Sequence, residues 1–348
     1  MAKTAAGKGH FNELDIVKGI GIWAVVIGHL QPKDPTITVI YSVHMFLFFF
    51  CSGFLGERFK ERSYGSVLWG NVKRLLFPYA VWGILSQVFV IAQGEQTIGK
   101  ALKEFFFLGK WVGWNAPLWF LVVLFWTEMI GYWVAKAHIL LKFLMMAVAA
   151  AGWYVISRGG YGIWFGFRLV PIGLFFWIFG LVVREYYSKG EEWFFGKRSF
   201  LTVVKQLLLL APLFGVWIFF GVVRNETISV YHMTYSNYPY TLLAGMAGVL
   251  FLLLLSKVMS ETWKWDPGYW IGKLFALFGK NSLLILCTHH FFLRMVQDYS
   301  KANLGKNMWL FKDTGKAFRI GSELMLLYLV LILLLMPIKK KGFLKYLI

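Results

Sequence analysis

Long apolar runs alternate with short polar connections along the whole chain. Each run has the length that carries a helix across about 30 Å of hydrocarbon. The runs fall near residues 14–31, 38–56, 75–93, 116–135, 141–157, 169–186, 203–222, 239–256, 281–297 and 319–337. The pattern predicts an all-α polytopic bundle of about ten transmembrane helices, with both termini on the same side. Two connections are longer than a turn requires. Thr97 to Phe107, within the first, mixes charged and aromatic residues in the manner of a helix lying in the membrane interface. The second, Asp298 to Lys316, contains Lys301, Lys306 and Lys312 and reads as a solvated loop. No repeat, low-complexity tract or appended soluble domain is visible, so residues 1–348 read as a single membrane domain.

Composition removes the soluble alternatives. With 58% hydrophobic and 19% aromatic residues and a mean hydropathy of +0.61, the chain is too apolar for a water-soluble globule. The formal charge of +19 raises the question of nucleic acid, but the 36 basic residues sit in short stretches between apolar runs. Most fall on the side that holds the termini: Lys3 and Lys8, then Arg58, Lys60, Arg62, Lys73 and Arg74, later Arg184, Lys197 and Arg198, and finally Lys339 to Lys341. This bias predicts cytoplasmic termini, and no nucleic-acid partner is expected. Cys51 and Cys287 lie inside apolar runs, where they read as small packing residues, so neither a disulfide nor a metal site is expected. The first run ends in Leu30-Gln31-Pro32 with no small-residue cleavage site, so the first span is expected to stay in the mature protein.

Polar positions inside the runs carry the candidate chemistry. The first run is started by Asp15 and Lys18 and closed by His29. At about 100° and 1.5 Å per residue, Lys18 and His29 share a helix face about 16 Å apart, and Asp15 is placed to pair with Lys18. Ionisable groups within a membrane cost several kcal/mol unless paired or facing a cavity, which marks this helix as a functional site. The plain alternative makes Asp15 and Lys18 interfacial anchors and His29 an exposed helix end. His44 lies a little over one turn into the return span and is expected to share a site with His29. After it come Met45 to Phe50, then Cys51, Ser52 and Gly53, small residues that also suit close helix packing.

Asp15-Ile-x-Lys18-Gly-Ile-Gly-Ile, then Val-x-x-Gly-His29, then His44-Met-x-x-Phe-Phe-Phe-x-Ser52-Gly-Phe resembles the acyltransferase 3 family of integral membrane O-acyltransferases, and within it the fucose 4-O-acetylase-like branch. The similarity continues through Lys73-Arg74-Leu-Leu-Phe-Pro-Tyr79, Pro117-Leu-Trp119-Phe-Leu, the stretch Arg168 to Gly180 and Gly279-Lys-Asn-Ser to His289-His290. It implies transfer of an acetyl group from cytoplasmic acetyl-CoA to a hydroxyl of a cell-surface or lipid-linked sugar, in a bacterial inner membrane. His29 is then the general base, with His44 beside it and Asp15 on the same helix as the partner of Lys18. Lys18, Arg58, Arg62, Lys73, Arg74 and Ser52 become the donor-binding set, since phosphates favour Lys and Arg clusters. Topology alone also explains any one of these bases. Trp119, Arg168 and His290 become acceptor-binding residues, Trp119 being equally at home in an interfacial belt. His10, His138 and His232 read as ordinary surface or loop histidines, and Glu128 and Glu323 as acids pairing between helices.

Two departures from the family's pattern stand out. The extracytoplasmic hydrolase-like domain of some relatives is not seen, and Lys18 stands where relatives often have Arg, which keeps the charge without the bidentate fork. Two competing functions share the features of the spans. A transporter of a small anionic or sugar substrate would also place charged residues within the membrane, and a membrane sensor or scaffold would keep the fold without catalysis.

Overall fold

The computed structural model describes residues 12–108, 112–159, 164–194, 200–225, 228–261, 267–304 and 313–337. His10 and the basic residues Lys3, Lys8, Lys197, Arg198, Lys306, Lys312 and Lys339 to Lys341 lie outside them. The architecture is helical, with a single two-stranded hairpin among the described residues. In chain order the first helices are α1 (Asn12–His29), α2 (Thr36–Tyr41), α3 (His44–Phe54), α4 (Tyr64–Asn71), α5 (Phe77–Ala92) and the short α6 (Ile98–Lys103). Then come α7 (Trp119–Ala135), α8 (Ile139–Gly159), α9 (Val170–Phe194) and α10 (Phe200–Ile218). Strands β1 (Ile228–Ser229) and β2 (Thr234–Tyr235) pair antiparallel, and α11 (Tyr238–Glu261), α12 (Pro267–Lys280), α13 (Ser282–Leu304) and α14 (Thr314–Leu335) complete the fold.

Eight segments are long and apolar enough to cross a membrane, or nine when the bent pair of α12 and α13 is one span. The expected ten differ by α1. That helix has 18 residues, but Glu13, Asp15 and Lys18 give it more charge than an ordinary span. The protein instead surrounds it: Leu14, Ile16, Val17, Ile22, Val26 and Ile27 are almost wholly buried. Its neighbours are α3, α11, α12, α13 and α14. The helices around α3, α7 and α9 form the rest of the interior, while α8, α10 and α14 turn most of their apolar surface outward, as lipid-facing helices do.

Two features depart from the predicted spans. The second run is broken: α2 ends at Tyr41 and α3 begins at His44, with Ser42 at the break accepting a 2.7 Å hydrogen bond from Trp217 Nε1. The segment after Glu261, expected as a connection, holds α12, which bends by 78° into α13. Helix α12 packs against the first half of α1 with the backbones nearly touching. A methyl group at Gly19 would overlap the carbonyl of Phe275, and one at Gly279 would overlap the carbonyl of Asp15. Gly53 and Gly180 bring α3 and α9 together in the same way. The Thr97 to Phe107 segment is helical as expected, with the Thr97 hydroxyl capping α6 by accepting from the Lys100 amide.

Candidate active site

Four histidines from three helices gather at the end of α1. His29 is its last residue, His44 the first of α3, and His289 and His290 lie one turn or more into α13. His289 Nε2 is 3.0 Å from His29 Nδ1, and the His29 ring centroid is 5.1 Å from that of His290. His290 donates through Nδ1 to the Trp114 carbonyl at 2.5 Å, tying α13 to the segment before α7. Asn115 strengthens this tie by donating to the Cys287 carbonyl at 2.8 Å. His44 donates through Nδ1 to the Ile40 carbonyl across the α2–α3 break at 2.8 Å, which leaves Nε2 of the neutral ring as an acceptor.

His29, His44 and His290 line a cavity of about 900 Å³ at this end of the bundle. Its walls come from segments far apart in sequence: Gln31, Asp34 and Tyr41, then Trp114 and Trp119, the hairpin from Ile228 to Thr234, and Arg294. Trp119 and Tyr231 stand 5.8 Å apart between ring centroids, and Arg168 fixes the hairpin by donating to the Tyr231 carbonyl at 3.1 Å. Arg168 therefore supports the wall without lining the cavity. Burial pushes the Tyr231 phenol up to about 12, so it stays a neutral hydroxyl. His232, expected as an ordinary loop histidine, lines the cavity as well.

A second cavity of about 180 Å³ approaches from the Lys18 end. Lys18, Ser52, Arg58, Arg74 and Ser282 give it a polar mouth, and Ile22, Phe48, Phe120, Leu121 and Leu124 line its apolar part. Met45 and Leu286 line both cavities, so the two lie next to each other with this pair of side chains between them. Lys18 is bonded to Asp15 at 2.8 Å, the pairing expected from their spacing. Asp15 sits fourteen residues, about 21 Å of helix rise, from His29. It pairs with Lys18 and is too far along the helix to touch His29.

Glu128 organises the other side of that mouth. It is completely buried on α7, accepts from Arg74 at 2.5 Å and accepts from the Ser52 hydroxyl. Asn71 adds a 3.1 Å bond to Arg74. A carboxylate in a membrane bundle is tolerated when it is paired in this way, and the pairing aims Arg74 while leaving its side chain 41% exposed. Glu128 thus pairs between helices as expected, whereas Glu323 pairs with Arg319 on its own helix. The structure does not bring Arg62 and Lys73 to the mouth. Arg62 turns to the Ser66 carbonyl and hydroxyl, and Lys73 stacks over the Trp69 ring. Cys51 lines the smaller cavity and Cys287 is buried; both are free thiols. Among the described residues no cluster of His, Cys, Asp and Glu has the arrangement to hold a metal ion.

Residues 11–338 match the family model described as the acyltransferase domain of the acyltransferase 3 family. The chain belongs to this family. No curated protein and no solved structure matches it. The match spans nearly all of the chain, so the histidine cluster, both cavities and the buried α1 all lie within the acyltransferase domain, and membrane acyl transfer is the activity to which this geometry answers.

Proposed function

We propose that the protein is an O-acyltransferase that moves an acetyl group from cytoplasmic acetyl-CoA to a hydroxyl of a cell-surface or lipid-linked sugar, as the resemblance to the fucose 4-O-acetylase-like branch implies. The observation that carries this reading is the adjacency of two unlike cavities that share Met45 and Leu286, the larger of them lined by His29. The smaller has a cationic mouth suited to phosphates and an apolar interior suited to the pantetheine arm. The larger is wide, aromatic and rich in hydroxyl groups, which suits a sugar ring. A transporter would need a single substrate site open in turn to both sides, for which two dissimilar compartments adjoining at Met45 and Leu286 offer no advantage.

In this reading Lys18, Arg58 and Arg74 bind the donor phosphates and hold the thioester near the junction. His29 takes the proton of the acceptor hydroxyl as its oxygen bonds to the thioester carbonyl carbon. The carbon–sulfur bond then breaks, and the thiolate leaves with the proton returned by His29. Electrons and protons balance without an oxidant or reductant. Trp119 and Tyr231 provide faces for the sugar, and His44 offers an acceptor nitrogen for a second hydroxyl.

The test is transfer of labelled acetyl from acetyl-CoA to candidate sugars by purified protein, with His29→Ala as the comparison. Loss of a positioned base typically costs about 100-fold to 10,000-fold in rate. His29→Ala should lose that much while still binding CoA. More than half of the wild-type rate in a folded His29→Ala protein would remove His29 from the base role.

A further inference from the structure

We infer that His289 is a positioning residue that fixes the tautomer of His29; the inference rests on the base role proposed above. His289 is completely buried, and its Nδ1 lies 2.8 Å from the Ile285 carbonyl and 3.0 Å from the Leu286 carbonyl. Carbonyl oxygens only accept, so Nδ1 carries the proton. A neutral imidazole has one proton, and Nε2 of His289 is therefore an acceptor. Its partner at 3.0 Å is Nδ1 of His29, which must donate. With the proton of His29 held at Nδ1, its Nε2 carries the lone pair that a general base needs. The hydrogen positions follow from this network of fixed acceptors.

The consequence is a division of labour within one dipeptide. His289 faces α1 and sets the reacting ring, while His290 faces the Trp114 segment and sets the cavity wall. The backbone that presents them is itself held. Thr288 bonds the Leu284 carbonyl and the Tyr328 hydroxyl, each at 2.7 Å, and the Cys287 carbonyl is held by Asn115. When His29 accepts the acceptor's proton at Nε2, it becomes an imidazolium whose Nδ1–H still bonds to a neutral His289. The second histidine thus supports the cation without placing a buried carboxylate beside the reacting group.

Three variants and one direct observation test this. His289→Gln keeps an acceptor oxygen where Nε2 stood, and His289→Leu removes it at similar volume. The Leu variant should lose about 100-fold or more in kcat with both substrate KM values within about threefold of wild type, and the Gln variant should stay within about tenfold of wild type. Adding His289→Leu to His29→Ala should cause no further loss, because the positioning residue has nothing left to position. Full activity in His289→Leu, equal loss in the Gln and Leu variants, or additive losses in the double variant would each overturn the inference. The direct observation needs no variant: nitrogen-15 labelling of the histidines should show His29 protonated at Nδ1 and bare at Nε2. The opposite tautomer in the wild-type protein would also overturn it. If His29→Ala alone retains activity, the base reading fails; if His29→Ala is inactive and His289→Leu is not, only the positioning role fails.

Discussion

Lys18 and Arg74 reach the mouth of the smaller cavity, and Arg62 and Lys73, close by in sequence, do not. Lys18→Ala and Arg74→Ala should therefore raise the acetyl-CoA concentration needed for half-maximal rate by about tenfold, the scale of one charge-assisted hydrogen bond to a phosphate. Acceptor saturation should barely move. Arg62→Ala and Lys73→Ala should leave donor dependence within about twofold of wild type. An equal effect from all four substitutions would make general positive charge, and not this mouth, the source of donor affinity. The spacing of Lys18 and His29 was legible in the sequence because both lie on one unbroken helix, where period and rise fix relative position. The separation of Arg74 from Lys73 was not, since it depends on Glu128, 54 residues further on, which draws one side chain inward. His289 and His290 were both visible as candidates for the His29 cavity, but their separate roles were hidden for a similar reason. Two adjacent histidines point about 100° apart on a helix, and only the packing of α13 against α1 decides which one meets His29.

Helix α12 shows what a run-length reading misses. Fourteen residues with Lys273, Lys280 and three glycines look like a connection when judged by apolar length, yet Gly279 here and Gly19 on α1 are what let the two helices lie together. Their purpose lies in the partner, so no local pattern reveals it. The break between α2 and α3 is equally silent, since neither Pro nor Gly marks it and Ser42 is held there by Trp217 from a distant helix. Apart from the third, which starts at Tyr64 and not near residue 75, the remaining spans agree closely with their apolar runs because lipid forces both length and hydropathy on a helix that crosses it. Close approach at Gly279 carries an expected outcome. Gly279→Ala places a methyl group into the Asp15 carbonyl and must push α12 away from α1. Overpacking of this kind typically costs about 1–3 kcal/mol. Thermal unfolding in detergent should shift to lower temperature, and donor affinity should fall with it, because Asp15 holds Lys18. Unchanged unfolding would mean that the two helices separate at little cost.

Across the whole molecule, the proposed function predicts a reaction divided between the two faces of the membrane, because the two cavities approach from opposite ends of α1. Lys18 marks one mouth and His29 the other cavity, with about 16 Å of a single helix between them. That distance is comparable with the reach of an extended pantetheine arm, so the acetyl group can arrive at the junction of Met45 and Leu286 while the nucleotide stays at the Lys18 end. The larger cavity, proposed for the acceptor, is built from segments at the opposite end, the hairpin, the Trp114 segment and the Leu286 to Arg294 turns of α13. If the Lys18 end faces the cytoplasm, as the excess of basic residues on that side predicts, neither substrate has to cross the bilayer. Sealed vesicles of known orientation distinguish this arrangement from a one-sided enzyme. Acetyl-CoA should support transfer only when supplied to the face that bears Lys18 and the N-terminus, and a membrane-impermeant sugar acceptor only when supplied to the other. Substitution of Met45 by Trp, which narrows the junction, should slow transfer across the membrane while leaving CoA binding intact. If both substrates act only from the face bearing Lys18, the two cavities are not a path between the faces, and acyl transfer takes place wholly on that side.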